Sequence, residues 1–261
     1  MQRAAVGVFD SGVGGLSVLA YIHHLLPAEE LIYVADSAYI PYGCKKPEEV
    51  LDRSLKISDF LVKKGVKAIV VACNTATAVA VHELRARYDV PVIGIEPAVK
   101  PAVGGSISGV VGVLATSGTL GSEKFNQLKL RYADQAELIV QPCPGLVEHI
   151  EAGELDGGQI RHLLDGYLQP LLERGMDTLV LGCTHYTFVL PLIRKIVGES
   201  ITIIDAGDAI ARQLRRQLHE RAALVEDTHL GSVEFWSSGT MSDTLTSSLW
   251  GQNIHVGHLN I

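Results

Sequence analysis

Short, nearly continuous apolar runs alternate along this chain with longer stretches whose apolar residues recur at helical spacing. That alternation leaves few folds open. The runs occupy residues 5–9, 31–35, 68–72, 92–95, 110–114, 137–141, 178–181 and 201–204. Helical spacing fills intervals such as 47–64 and 160–174. Strand and helix in alternation predict an α/β fold with a mostly parallel sheet and right-handed crossovers. The apolar continuity of the strands agrees, because parallel strands are covered on both faces and show little polar alternation.

The pattern also runs twice. GVFDSGVGG from Gly7 resembles GVLATSGTL from Gly112. IVVACNTATA aligns with LVLGCTHYTF at Cys73 and Cys183, and VPVIGIEPA aligns with ITIIDAGDA at Glu96 and Asp205. Three paired segments in one order, about half a chain apart, predict two similar α/β domains related by a pseudo-twofold, and not the short-period stacking of a solenoid. The chain after Asp205 carries a helix near 209–220, then VEFWSSG, a further helical stretch and NIHVGHL. It is long enough to return and complete the first domain. The expected division is 1–97 with 206–261 as a discontinuous first domain and 98–205 as the second.

At 261 residues the chain can bury one large core or two modest ones. A formal charge of −7, with no sustained basic tract, argues against a broad nucleic-acid footprint. The arginines of RQLRR, 212–216, read as a solvated helix face. The apolar run at 68–73 is far below the roughly 20 residues that span a bilayer. MQRAAVGVFDSG lacks the apolar core of a secretory signal, so a cytoplasmic location is expected. In a reducing compartment the four cysteines are expected to be free thiols. Cys44 and Cys143 read as small buried hydrophobes, because neither follows a strand and opens a helix.

Cys73 and Cys183 differ from those two. Each closes an apolar run and is followed by small and hydroxylated residues able to open a helix. A helix starting there would aim backbone N–H groups and its positive end at the sulfur, favouring a thiolate or a bound carboxylate. Ligands of parallel sheets collect at the carboxyl ends of strands. Asp10-Ser11, Asp36-Ser37 and Cys73-Asn74-Thr75 occupy such positions in the first half, Thr116-Ser117 and Cys183-Thr184-His185 in the second. A thiol pair in matched settings suits removal of a proton from one face of a carbon and its return to the other. Rival motifs are weak. Gly12 and Gly14 begin a G-x-G-x-x-G pattern that fails at Ser17, no phosphate-binding Gly-Lys loop is present, and Cys183-x-His185 lacks zinc-ligand spacing. His23, His24 and His82 read as helix-surface residues. No cofactor and no metal are therefore expected.

The segments VGVFDSGVGGLSVL, YVADSAYIPYG, VVACNTATA, GIEPAVKPA, LGCTHYTFVLP and IDAGDAIA resemble, in order and across almost the whole chain, the glutamate racemase family within the wider group of cofactor-independent aspartate and glutamate racemases. The resemblance implies two α/β domains with the active site between them, and D-glutamate made for peptidoglycan synthesis in a bacterial cytoplasm. It implies Cys73 and Cys183 as proton donor and acceptor, the first acting on D-glutamate and the second on L-glutamate. Asp10 and His185 would assist them, with Glu151 of VEHIEAGE supporting the second cysteine. Asp10, Ser11, Tyr42, Gly43, Asn74, Thr75, Thr184 and His185 would contact substrate. Some members carry an N-terminal extension and respond to a cell-wall precursor. Here the first motif begins at Val6, so that mode of activation is not expected. The expected partner is glutamate, with no nucleic acid and no membrane, and a homodimer stays open. Two alternatives share parts of this reading: a two-lobed amino-acid-binding module without catalysis, and an aspartate racemase differing in the length of its pocket.

Overall fold

A computed structural model describes residues 4–226 and 230–261. Within it the chain divides into two compact units, 1–95 with 207–261, and 96–206.

The first unit opens with β1 (Val6–Asp10), α1 (Leu16–Leu25), β2 (Leu31–Ala35), α2 (Pro47–Lys63), β3 (Ala68–Val71), α3 (Asn74–Arg87) and β4 (Val92–Gly94). The second contains α4 (Val99–Gly105), β5 (Val110–Ala115), α5 (Ser117–Leu120), α6 (Glu123–Tyr132), β6 (Glu137–Pro142), α7 (Leu146–Glu151), α8 (Gly158–Glu173), β7 (Thr178–Leu181), α9 (Leu190–Val197) and β8 (Thr202–Ile204). The chain then returns to the first unit as α10 (Gly207–Glu220), β9 (Val233–Ser237), α11 (Asp243–Trp250) and β10 (Val256–His258).

The first sheet has the order β10-β9-β2-β1-β3-β4 and the second β6-β5-β7-β8. Every ladder in both is parallel. The fold class is thus α/β, with parallel sheets flanked by helices, as the strand–helix alternation predicts. The internal repeat is visible in topology: β2-β1-β3-β4 and β6-β5-β7-β8 are the same doubly wound order, to which the first unit adds β9 and β10. The tail does join the first sheet, β9 pairing with β2 from Leu31↔Val233 to Ala35↔Ser237.

Burial explains the composition of these elements. β1, β2, β3 and β7 are buried at every position. In the first unit Phe9, Val34, Ile57, Leu61, Ile69, Val71, Ala80 and Leu84 share one core cluster. In the second, Val111, Val113, Phe125, Leu138 and Val180 share another. α2 starts with proline at its first position and with Glu48 and Glu49 in the first turn, and carries Lys63 in its last, an order that suits the helix dipole. It buries Val50, Arg53, Ser54, Ile57, Ser58 and Leu61 at helical spacing. The arginines at 212, 215 and 216 are exposed on α10, as expected of a solvated face, and His24 and His82 are exposed on α1 and α3. Among the described residues no helix is long and apolar enough to cross a membrane.

Candidate active site

In a sheet of order 2-1-3-4 the direction of winding reverses between the first and third strands, and the crevice beyond their carboxyl ends is where ligands bind. In the first unit those strands are β1 and β3. Asp10 is the last residue of β1, and Cys73 lies just beyond β3. The strands are adjacent, with Phe9 opposite Val71 and the Ala72 N–H donating to the Phe9 carbonyl at 2.8 Å.

Asp10 is fully buried. Its Oδ1 accepts from Ser11 Oγ at 2.9 Å and from the Gly12 N–H at 3.3 Å. Cys73 is the N-cap of α3, and its Sγ accepts from the Ala76 N–H at 3.5 Å. The helix start expected after this cysteine is therefore present, and its positive end stabilises negative charge on the sulfur. Asn74 and Thr75 form the first turn of α3 and are buried. Asn74 Oδ1 has no hydrogen-bond partner among the described residues. A buried amide oxygen left unpaired costs free energy unless a ligand or water meets it.

Tyr42 and Gly43 lie in a short 3-10 turn, Tyr42–Cys44, between β2 and α2. Tyr42 is buried in the same core cluster as Cys73. Its hydroxyl donates to Asp36 Oδ2 at 2.5 Å. Burial pushes that hydroxyl far above the usual phenol range, and the Asp36 charge and hydrogen bond add to the rise. Asp36, directly beyond β2 and fully buried, also accepts from Arg53 Nε at 2.9 Å, Arg53 Nη2 at 2.7 Å and Ser238 Oγ at 2.5 Å.

In the second unit the corresponding strands are β5 and β7. Thr116 caps α5 beyond β5, its side chain accepting from the Thr119 N–H. Cys183 lies beyond β7, and here the expectation of a matched helix needs correcting. Thr184–Val189 form a 3-10 segment, and Cys183 makes no side-chain cap hydrogen bond. The approach to the strand end is the same in both units, the Gly182 N–H donating to the Leu114 carbonyl as the Ala72 N–H does to that of Phe9. Cys183 instead faces histidine, with Sγ 3.8 Å from His185 Nδ1, and His185 Nε2 is 2.7 Å from Glu151 Oε1. His185 is 2% exposed and Thr184 is also buried. Glu151 ends α7 and reaches the site across 34 residues of chain.

Sequence reasoning also missed a neighbour of Cys183 and the exposure of Cys44. Cys143 follows β6 and is buried, as expected, but it lies close enough to Cys183 to feel its charge. Burial pushes the Cys143 thiol up to about 12, and Cys183 contributes in the same direction. Cys44 contradicts the buried reading: it is exposed, in the turn after Pro41, with its Sγ 3.4 Å from the Pro41 carbonyl. Arg53 was legible in principle. It is a charged residue on the buried stripe of α2, where charged side chains are rarely found unless paired.

The profile of the Asp/Glu/Hydantoin racemase family matches residues 7–214. Glutamate racemase of Pseudomonas aeruginosa strain PAO1 is 52% identical over 262 residues, covering 99% of this chain and 98% of that protein. Among solved structures, glutamate racemase isoform RacE1 of Bacillus anthracis superposes with a TM-score of 0.90 at 31% identity, covering 100% of this chain and 99% of that one. The Escherichia coli glutamate racemase, solved with L-glutamate and the activator UDP-MurNAc-ala, gives a TM-score of 0.86 at 31% identity, covering 98% of this chain and 97% of that one.

Proposed function

The chain belongs to the Asp/Glu/hydantoin racemase family, and from this premise we propose that it interconverts L- and D-glutamate with Cys73 and Cys183 as the two acid/base groups and no cofactor. The observation that carries this reading is positional. Each cysteine follows the third strand of a 2-1-3-4 strand order, at the reversal point of its unit, Cys73 next to the strand that ends in Asp10 and Cys183 with His185 beside it.

The Cα proton of glutamate is weakly acidic. Its removal needs a base at one face, stabilisation of the developing enediolate, and an acid at the other face. On L-glutamate the Cys183 thiolate takes the proton, and the Cys73 thiol supplies one from the opposite side. D-Glutamate leaves with Cys73 as thiolate and Cys183 as thiol, and exchange with water resets the pair. The reverse reaction runs the roles backwards. His185 prepares Cys183. With Glu151 ionised, Nε2 carries the hydrogen toward Oε1 and Nδ1 presents its lone pair to the thiol. The same logic orients the imidazole in hydrolytic triads. At Cys73 the charge is met by the start of α3, and Asp10 supports the proton transfer from the end of β1. Asn74, Thr75 and Thr184, with Ser11 and the backbone of Tyr42 and Gly43, are the proposed donors and acceptors for the substrate's carboxylates and ammonium. Asn74 Oδ1 is a suitable acceptor for the ammonium. The proposed role is supply of D-glutamate for peptidoglycan synthesis in a bacterial cytoplasm.

The test is racemisation by purified protein of L-glutamate and of L-aspartate, in deuterated water without added cofactor. Glutamate is expected to turn over and to carry deuterium at Cα in the product enantiomer. Cys73→Ala and Cys183→Ala should each lower racemisation by at least about 100-fold. Wild-type rates in both variants would sink the two-base reading. Preference for aspartate would move the substrate, and glutamate binding without Cα exchange would leave only a binding module.

A further inference from the structure

Arg53 is 1% exposed, and each nitrogen of its guanidinium is engaged. Nε and Nη2 form a two-pronged pair with the Asp36 carboxylate, and Nη1 donates to the main-chain oxygen of Ile261 at 2.8 Å. The Tyr39 ring stacks on the guanidinium, its centroid 3.9 Å from Cζ. Asp36 in turn takes the Tyr42 hydroxyl and Ser238 Oγ, and Ser238 Oγ accepts from the Ala38 N–H at 3.2 Å. These contacts converge on the connection between β2 and α2, and Arg53 supplies the only cation among these partners of Asp36. Without it the Asp36 carboxylate would be a buried charge with only neutral donors.

This connection carries Tyr42 and Gly43. The Tyr42 hydroxyl proton is committed to Asp36, so what the turn offers a ligand is its backbone. Tyr42 packs in one core cluster with Cys73 while its hydroxyl is tied to Asp36. We propose that Arg53 is a positioning residue for glutamate: through Asp36 and Tyr39 it holds the 36–44 connection so that Tyr42 and Gly43 meet the substrate next to Cys73. The inference rests on the racemase reading given above. Ser238, brought in by the returning tail, is part of the same device. The returning strands thus serve the site as well as the sheet.

The experiment compares wild type, Arg53→Lys, Tyr42→Phe and their double variant, with L-glutamate racemisation and calorimetric glutamate binding measured on each, and thermal unfolding as a check on folding. Lysine keeps the charge but loses the fork and the stacking plane. Arg53→Lys is expected to lower kcat/KM by about 10- to 100-fold, mostly through KM, with a matching loss in binding. Its effect in the Tyr42→Phe background should be much smaller, because both act through Asp36. A folded Arg53→Lys protein with a lowered Tm but wild-type KM and binding would overturn the proposal, as would additive effects. If Arg53→Lys fails to fold, Tyr39→Leu and Ser238→Ala answer instead: both leave the ion pair intact, and wild-type KM in both overturns it. Wild type without glutamate racemisation would overturn the racemase reading and this inference with it. Active wild type with unaltered variants overturns this inference alone.

Discussion

Cys73 and Cys183 occupy equivalent strand ends but are served by different chemistry. Cys73 has a helix start and a backbone N–H on its sulfur, whereas Cys183 has an imidazole backed by a carboxylate. Two identical nucleophiles in such unlike surroundings suit a reaction whose faces are mirror images only at one carbon. The Glu151–His185 contact sets the imidazole's orientation, so Glu151→Gln should lower kcat by roughly 10- to 100-fold while KM changes little. Steady-state kinetics in both directions checks this. A variant with wild-type kcat would remove Glu151 from the proton path. Cys73, Cys183, Asp10 and His185 were legible as candidates because strand ends in parallel sheets are read from apolar runs. The exposure of Cys44 was not, because a residue in an irregular turn has no periodicity to say which side it faces.

At the level of elements, turns are held by side chains that local patterning does not single out. Asp177, just before β7, accepts from Ser106 Oγ, the Ile107 N–H and the Ser108 N–H, each at 2.6 Å, and from Thr178 Oγ1 at 2.9 Å. Burial opposes its ionisation, yet these bonds hold its carboxyl well below the usual carboxylate range. They tie the α4–β5 connection to the start of β7. A carboxyl depressed in the folded state stabilises above its unfolded value, near pH 4, and that contribution is lost as pH falls through the folded value. Wild type should therefore exceed Asp177→Asn in stability at pH 7, and the gap should narrow below about pH 4. Urea unfolding of both proteins across that range tests it, and a gap independent of pH would refute it. The parallel pairing of β5, β6, β7 and β8 was readable in advance. The Asp177 staple was not, since Ile107, one of the partners it ties down, lies 70 residues away.

For the whole molecule, the decisive event is the return of the chain after the second unit. Lys67, just before β3, is buried with Glu29 at 2.5 Å, and also donates to the Ala223 carbonyl at 2.7 Å, while Glu29 Oε1 accepts from the Val225 N–H at 2.9 Å. The pair fastens the segment after α10 to the first unit. Lys67→Met would leave the Glu29 carboxylate buried and unpaired, an expected cost of about 3–5 kcal/mol. Lys67→Met with Glu29→Leu should recover much of that loss. Chemical denaturation of the two variants decides it: a single variant as stable as wild type would show that the latch contributes nothing.

The sequence by itself determined the fold class, the internal repeat and the residues at the strand ends. These follow from local rules: a parallel strand covered on both faces must be continuously apolar, and its carboxyl end must then change to small or polar residues. Only the tertiary structure decided that Arg53 lies beneath Asp36 and Tyr42, that Glu151 reaches His185, and that Ser238 returns to the first sheet. A buried charge finds its partner through space, and the chain distance between the two partners leaves no trace in either one's neighbours. The asymmetry of the cysteines belongs to the same class. It lies in what meets each sulfur through space, a backbone N–H of α3 at Cys73 and, at Cys183, an imidazole held by a carboxylate from α7.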